Sequence, residues 1–256
     1  MHFLKDFHAT SRLPYGINNS FITLVPKTDN PLGLSDCRPI SLVGSLYKIL
    51  FKVLAHRLKR VLPEVIGETQ SALLGGRSIL DGVFIANEIV DGWKKTKRKG
   101  VIIKLDFKKA YGSINWEFIF SMLYNFGFGL KWISWMRECI STTRLSILVN
   151  GSPTEEFSPQ KGLRQVDSLS PFLFNIVAEG LNILMNRAHE QGIIKRVKVE
   201  VNEVVISHLQ FDDDFIIFCE ADMDQIVHTK RILHCFEILF GMRINFHKSD
   251  VWSWCR

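Results

Sequence analysis

The chain has 256 residues, of which 46% are hydrophobic and 11% aromatic, and a formal net charge of +6. That composition supports one large domain or two closely packed ones and excludes general disorder. No uninterrupted apolar run spans a bilayer, and the opening MHFLKDFHATSRLPYG lacks the apolar core of a secretory signal.

In chain order, residues 1–20 are weakly patterned, and FITLVPK (21–27) reads as a short strand ended by Pro26. TDNPLGLSDCRP (28–39) is rich in turn formers. Leu42, Leu46, Ile49, Leu50, Val53, Leu54, Leu58, Val61 and Leu62 then recur at helical spacing, with Ser41 suited to the N-cap and Pro63 to the stop. A second helix is predicted over 79–95. VIIKLDF (101–107) reads as a buried strand ending on Asp106, and a helical stretch follows near 115–140. RLSILVNGSPTEEFS (144–158) is a hairpin turning at Asn150-Gly151. A strong helix is predicted over 170–192, with Ser170 as N-cap, Pro171 first in the helix and Gly192 as its stop. Strand-like alternation around Asn202-Glu203 covers 195–211, and 228–242 is helical again. Helices and antiparallel hairpins are segregated, which indicates an α+β fold.

Basic residues cluster between Lys48 and Arg60 and in KKTKRK (94–99). A solvated surface explains such clusters; a polyanionic partner such as nucleic acid also fits them. The five cysteines, Cys37, Cys139, Cys219, Cys235 and Cys255, contain no CxxC pair. Neither a zinc site nor a disulfide framework is indicated, so a reducing compartment, nucleus or cytoplasm, is the natural setting.

HLQFDDDFIIF (208–218) sets Asp212, Asp213 and Asp214 between two apolar runs. A surface turn explains an acidic triplet, but surface turns usually carry Gly, Asn or Pro nearby. If the strand ending at Asp106 neighbours this hairpin, carboxylates from both meet at one sheet edge and need cations. Mg²⁺ takes hard oxygen ligands, commonly one or two carboxylates with substrate phosphates. Between the acidic sites, KGLRQVDSLSPFLF (161–174) puts Arg164 and Gln165 in a loop opening onto a helix, a setting suited to phosphate.

Six segments carry a family resemblance. ITLVPKTDNPLGLSDCRPISLVGSLYKIL (22–50), QSALLGGRSILDG (70–82), KLDFKKAYGSINWEF (104–118), GLRQVDSLSPFLF (162–174), HLQFDDDFIIF and FEILFGMRINFHKS (236–249) resemble, in order, the motifs of LINE-type (non-LTR) retrotransposon reverse transcriptases, the plant kind in particular. The resemblance implies a right-hand polymerase fold without a thumb. It implies an N-terminal extension at 1–16, fingers at 17–100, a palm at 101–250 with an antiparallel sheet backed by helices, and a truncated end at 251–256. It implies RNA-directed DNA synthesis from dNTPs on an RNA template and a DNA primer, with no membrane. Asp106, Asp213 and Asp214 become the catalytic carboxylates, holding two Mg²⁺ ions (or Mn²⁺) with the Phe107 carbonyl. Lys27 and Arg38 become triphosphate contacts, Tyr111 the steric gate against a 2′-hydroxyl, Gln165 a nucleotide and template contact, and Lys248 a proton donor to pyrophosphate.

The chain departs from that pattern on the motifs themselves. Lys108 and Gly112 stand where the family usually has Glu and Asp, Val166 and Ser168 where it has Gly and Pro, and Asp212 and Phe215 where it has Ala and commonly Thr. Valine at a position built for glycine is stiff, and Asp212 has no evident partner in the sequence. Two rivals follow: an inactive retrotransposon relic that at most binds nucleic acid, and a metal-dependent nuclease using the same carboxylates.

Overall fold

The computed structural model describes residues 2–165, 167–198 and 205–254. In chain order these form α1 (His2–Thr10), β1 (Asn19–Pro26), β2 (Cys37–Val43), α2 (Ser45–Val65), α3 (Ile79–Thr96), β3 (Gly100–Leu105), β4 (Phe107–Lys108), α4 (Ala110–Ser113), α5 (Trp116–Asn125) and α6 (Leu130–Ser141). They continue with β5 (Arg144–Val149), β6 (Ser152–Pro153), α7 (Ser170–Glu190), β7 (Val197–Lys198), β8 (Val205–Ile206), β9 (His208–Phe211), β10 (Asp214–Glu220), α8 (Met223–Phe240), β11 (Arg243–Ile244) and β12 (Asp250–Trp254).

One sheet runs β2-β1-β5-β6 and another β12-β3-β10-β9. The second is antiparallel throughout. Its central strand β10 explains the unbroken apolar run after the aspartates, because both of its faces are covered. Phe215 and Ile217 point into the main core with Leu105. Ile216 and Phe218 point the other way, against Ile89 and Trp93 of α3. Helix α7 is the spine of the main core. Phe174, Ile176, Val177, Ala178 and Leu181 are fully buried along it, and α2, α5 and α8 pack on it.

Several predicted elements shift for local reasons. The helix predicted from Ser41 starts at Ser45, because Cys37–Val43 pairs instead as a strand from Pro26↔Cys37 to Ser20↔Val43. The stretch near 115–140 divides into α5 and α6 at a turn where Gly127 takes φ +80°. Residues 2–10, which show no clear pattern in sequence, form α1, and its Phe7 is buried near Trp135. At the other end, Asp250–Trp254 forms a strand. It is the edge strand beside β3, in register from Asp250↔Lys104 to Trp254↔Gly100. The first sheet also crosses residue 100, since β1 pairs in parallel with β5, Asn19↔Arg144 to Ile22↔Ile147. The Asn202-Glu203 turn lies outside the described residues, although the flanking β7 and β8 pair as expected.

Pro63 does not stop α2, which runs through it to Val65. A proline in the last turn removes one backbone bond, and the carbonyls beyond it need other donors. Arg77 supplies them. Its Nη1 donates to the carbonyls of Gly67 (2.5 Å) and Gln70 (2.7 Å), and its Nη2 to those of Ile66 (2.9 Å) and Pro63 (3.4 Å). Arg77→Ala is therefore expected to cost about 3 kcal/mol in urea unfolding, because several carbonyls lose a charged donor together. Arg77→Lys, a point donor without the fork, is expected to recover only part of that loss.

Candidate active site

The two carboxylate-bearing strands are neighbours. Strand β10 lies antiparallel to β3 with Phe215 opposite Leu105, so Asp214 at the start of β10 and Asp106 just past the end of β3 lie at the same end of the sheet. β9 and β10 close with Asp214 paired to Phe211, leaving Asp212 and Asp213 as a two-residue turn. The hairpin is held from outside by residues 69–72. Gln210 donates its N–H to the Thr69 carbonyl (2.8 Å), and Ser71 donates to the Gln210 carbonyl (3.1 Å). The Gln70 amide then ties this segment to Asn175 of α7 at 3.1 Å.

Asp212 proves to be compensated, contrary to the sequence expectation. It sits in the turn rather than in a packed strand, at φ +53°. Asp tolerates that conformation better than most side chains. The Tyr111 hydroxyl donates to its Oδ1 at 2.7 Å, and Gln210 Nε2 donates to its carbonyl at 3.1 Å. Burial raises the Asp212 pKa, with Asp214 adding to the shift and the Tyr111 hydrogen bond opposing it. Tyr111 itself stacks on Phe174, ring centroids 4.7 Å apart. Burial, and then its bond to Asp212, hold its phenol protonated.

A cleft of about 1490 Å³ opens beside this sheet edge. Lys27, Arg38, Asp106, Phe107, Gln165 and Lys248 all line it. Tyr111, Asp213 and Asp214 are not among its lining residues; Tyr111 bonds Asp212 of the hairpin turn, and Asp213 lies close enough to Asp106 to feel its charge. Val166 lies outside the described residues. Sequence reasoning passed over Asn245 and Ser249, which hold Asp106 through hydrogen bonds to its carboxylate and main chain. Their i, i+4 spacing in a short polar stretch gives no signal of that role.

Arg164 differs from its expected phosphate contact. Its Nη2 donates inward to the Asn18 carbonyl (2.9 Å), to Asn18 Oδ1 and to Thr143 Oγ1 (2.6 Å). The guanidinium carbon lies 4.5 Å from the Tyr47 ring centroid. Among the described residues its buried Nε and Nη1 find no acceptor. Asp167 is buried beside it, and its Oδ1 accepts the Leu169 N–H at 3.0 Å, in the turn that leads into α7; Leu169, not Ser170, is the N-cap residue. Burial pushes the Asp167 carboxyl up to about 6, against the lowering effect of Leu169, Arg164 and Tyr47. A carboxyl with a raised folded pKa adds stability that is complete below its unfolded value of about 4 and lost as pH rises through 6. Asp167→Asn, which keeps the oxygen that accepts the Leu169 N–H, is expected to remove about 2–3 kcal/mol of the fall in unfolding free energy between pH 4 and 6. Chemical denaturation of both proteins across that range measures it.

The acidic edge is a hard-oxygen donor set under mutual repulsion. The Asp213 pKa is raised first by partial burial, then by Asp212, with Asp214 and Asp106 adding to it. Asp214 Oδ1 leans toward Lys104 Nζ at 3.9 Å. No three His, Cys, Asp or Glu side chains among the described residues already converge on one point. One or two carboxylates completed by substrate phosphate oxygens is the usual environment of Mg²⁺. Asp106 and Asp213 fit that chemistry.

The reverse transcriptase (RNA-dependent DNA polymerase) family model matches residues 25–256. Over 255 residues the chain is 26% identical to the Transposon TX1 uncharacterized 149 kDa protein of Xenopus laevis, covering 96% of this chain and 19% of that protein. It is 28% identical over 236 residues to the Pol polyprotein of the type-2 retrotransposable element R2DM of Drosophila melanogaster, covering 92% of this chain and 21% of that one. The chain thus spans about a fifth of the length of these relatives. A 70-residue stretch is 44% identical to the mitochondrial protein AtMg01250 of Arabidopsis thaliana, covering 27% of this chain and 57% of that protein. Among solved structures, apo telomerase of Candida tropicalis truncated from its C-terminal domain aligns with TM-score 0.62 at 13% identity, over 99% of this chain and 54% of that one. Telomerase of Candida albicans with a fragment of telomeric RNA aligns with TM-score 0.63 at 12% identity, over 98% and 45%. The fold is thus the fingers-and-palm α+β fold of polymerases. With the family model covering nearly the whole chain, the chain belongs to the reverse transcriptase (RNA-dependent DNA polymerase) family, as a domain of the non-LTR retrotransposon type.

Proposed function

We propose that this chain carries the nucleotidyl-transfer site of RNA-directed DNA synthesis, extending a DNA primer from dNTPs on an RNA template. The observation that carries the reading is the pairing of β3 with β10, which puts Asp106 and Asp214 at one end of the sheet beside a cleft lined by Lys27, Arg38, Gln165 and Lys248. Fingers would comprise roughly 17–100 together with the β5-β6 hairpin, and the palm roughly 101–250 together with β12.

In this reading Asp106 and Asp213, with the Phe107 carbonyl, hold the divalent cations, and Asp214 contributes less directly. Mg²⁺ bound there would activate the primer 3′-hydroxyl and neutralise charge on the transferring phosphate. Lys27 and Arg38 orient the triphosphate, and Arg38 offers a planar fork suited to phosphate. Gln165 contacts nucleotide and template. Lys248 gives a proton to the leaving pyrophosphate. Tyr111 faces the sugar as the gate against a 2′-hydroxyl, with Asp212 holding its hydroxyl.

The stretch shared with the Arabidopsis protein supports a plant lineage. Val166, Ser168, Gly112 and Lys108, where the family has other residues, support a degenerate copy. The test is primer extension on an RNA template with purified folded protein. Incorporation that follows the template and needs Mg²⁺ or Mn²⁺ supports the reading. Its absence with both metals supports an inactive relic, and degradation without dNTPs supports a nuclease.

A further inference from the structure

Asp106 sits at a break in its strand, and one turn of the neighbouring strand is wrapped around it. Ile244 pairs with Phe107 and Asp250 with Lys104. Between those pairs only Leu105 and Asp106 face the whole of residues 245–249. The extra residues form a turn closed on the Asn245 carbonyl, which accepts from Lys248 N (2.9 Å), Ser249 N (2.9 Å) and Ser249 Oγ (3.0 Å). That turn takes hold of Asp106 at three points. The Asn245 N–H donates to the Asp106 carbonyl at 2.7 Å. Ser249 Oγ accepts the Asp106 N–H at 3.2 Å. Asn245 Nδ2 donates to Asp106 Oδ2 at 2.9 Å. The amide can present only its NH₂ to a carboxylate, since its oxygen would be repelled there.

These contacts divide the two carboxylate oxygens. Oδ2 is committed to Asn245, and among the described residues no donor reaches Oδ1. A hydrogen bond to one oxygen favours one orientation of the carboxylate, so its other oxygen is turned in one direction. We propose that Asn245 is a positioning residue for Asp106: it holds Oδ2 so that Oδ1 alone is presented to a divalent cation. Ser249 fixes the strand end from which that oxygen projects. Lys248, which lines the cleft from the same turn, is thereby placed at a set distance from Asp106. The inference rests on the polymerase reading of Asp106. Outer partners of metal ligands act in this way, and removing one usually weakens metal affinity ten- to a hundredfold.

The test is binding of Mn²⁺ alone, followed by electron paramagnetic resonance of the free ion, with no nucleotide or primer. Asn245→Ala keeps every main-chain bond of the turn, so it is expected to fold. Asn245→Leu keeps the side-chain shape without the donor and serves if the alanine variant does not fold. Expected is Mn²⁺ binding by the unaltered chain that Asp106→Asn abolishes. In either Asn245 variant the binding is about tenfold weaker with an unchanged urea midpoint. Asp106-dependent binding that is equally tight in a folded Asn245 variant overturns the positioning role and leaves the polymerase reading standing. Mn²⁺ binding that ignores Asp106→Asn overturns both.

Discussion

Asp213→Asn is expected to abolish template-directed incorporation while leaving the protein as stable as before, or more so. The two effects have one cause. Asp213 is placed in a two-residue turn between Asp212 and Asp214 and near Asp106, where partial burial and then its neighbours' charges raise its pKa. Such a carboxylate works against the fold once it is ionised. The stability linked to it is complete below its unfolded pKa and is lost as pH rises through the raised folded value. A neutral amide of the same shape escapes that loss. The proposed reaction, however, requires the charge. Losing a metal-holding carboxylate removes several kcal/mol of transition-state stabilisation, on the order of a thousandfold in rate. Primer extension and urea unfolding on the same preparation measure both. A variant that is destabilised and still active would mean that Asp213 serves the fold rather than the chemistry. Added Mg²⁺ is expected to raise the melting temperature of the unaltered chain more than that of the variant, because the ion offsets a repulsion the variant lacks.

How much of this was legible in the sequence depends on how local its cause is. The strand ending at Asp106, the Asn150-Gly151 hairpin and the long α7 were readable because periodicity and turn chemistry act within a few residues. Asn150 and Gly151 do take φ +50° and +83°. The capping box of α3, with Ser78 and Asp81 bonded reciprocally, is equally local. What was not legible depends on partners far along the chain. Ser41–Val43 passes for the start of a helix until β1 lies beside it and makes it the end of a strand begun at Cys37. Pro63 reads as a stop until Arg77 caps the carbonyls beyond it. Asp212 reads as an uncompensated charge because Tyr111 lies 101 residues earlier. Arg164 reads as a phosphate contact because nothing in a loop sequence shows that Asn18 and Thr143 wait behind it.

Gly162→Ala is expected to cost about 3 kcal/mol or more and to abolish incorporation, although no predicted site residue is touched. Gly162 holds φ +87°, and a Cβ there would lie 2.6 Å from the carbonyl oxygen of Gly112 and 2.9 Å from its Cα. The left-handed conformation costs an L-residue about 1–2 kcal/mol, and crowding against main chain, which cannot rotate away, adds about 1–3 more. The contact also joins the two halves of the site. Gly162 N donates to the Ile114 carbonyl (2.8 Å), and Leu163 N to that of Tyr111 (2.7 Å). Trp116 Nε1 donates to the Gly162 carbonyl at 2.7 Å. The loop carrying Gln165 is thus laid directly on the segment that follows Asp106, and a methyl group between them pushes Gln165 away from the carboxylates. Gly112, on the other side of the same contact, predicts the opposite result. A Cβ there meets only Lys109 Cβ at 3.9 Å, and Gly112 lies within α4. Gly112→Ala is expected to be neutral or to stabilise by about 0.4–1 kcal/mol, since it reduces the freedom of the unfolded chain at a helical position. Urea unfolding of the two variants side by side isolates the geometry, because the same methyl group is added at two touching glycines. Equal effects from both would mean that the close approach of these segments does not hold the site together.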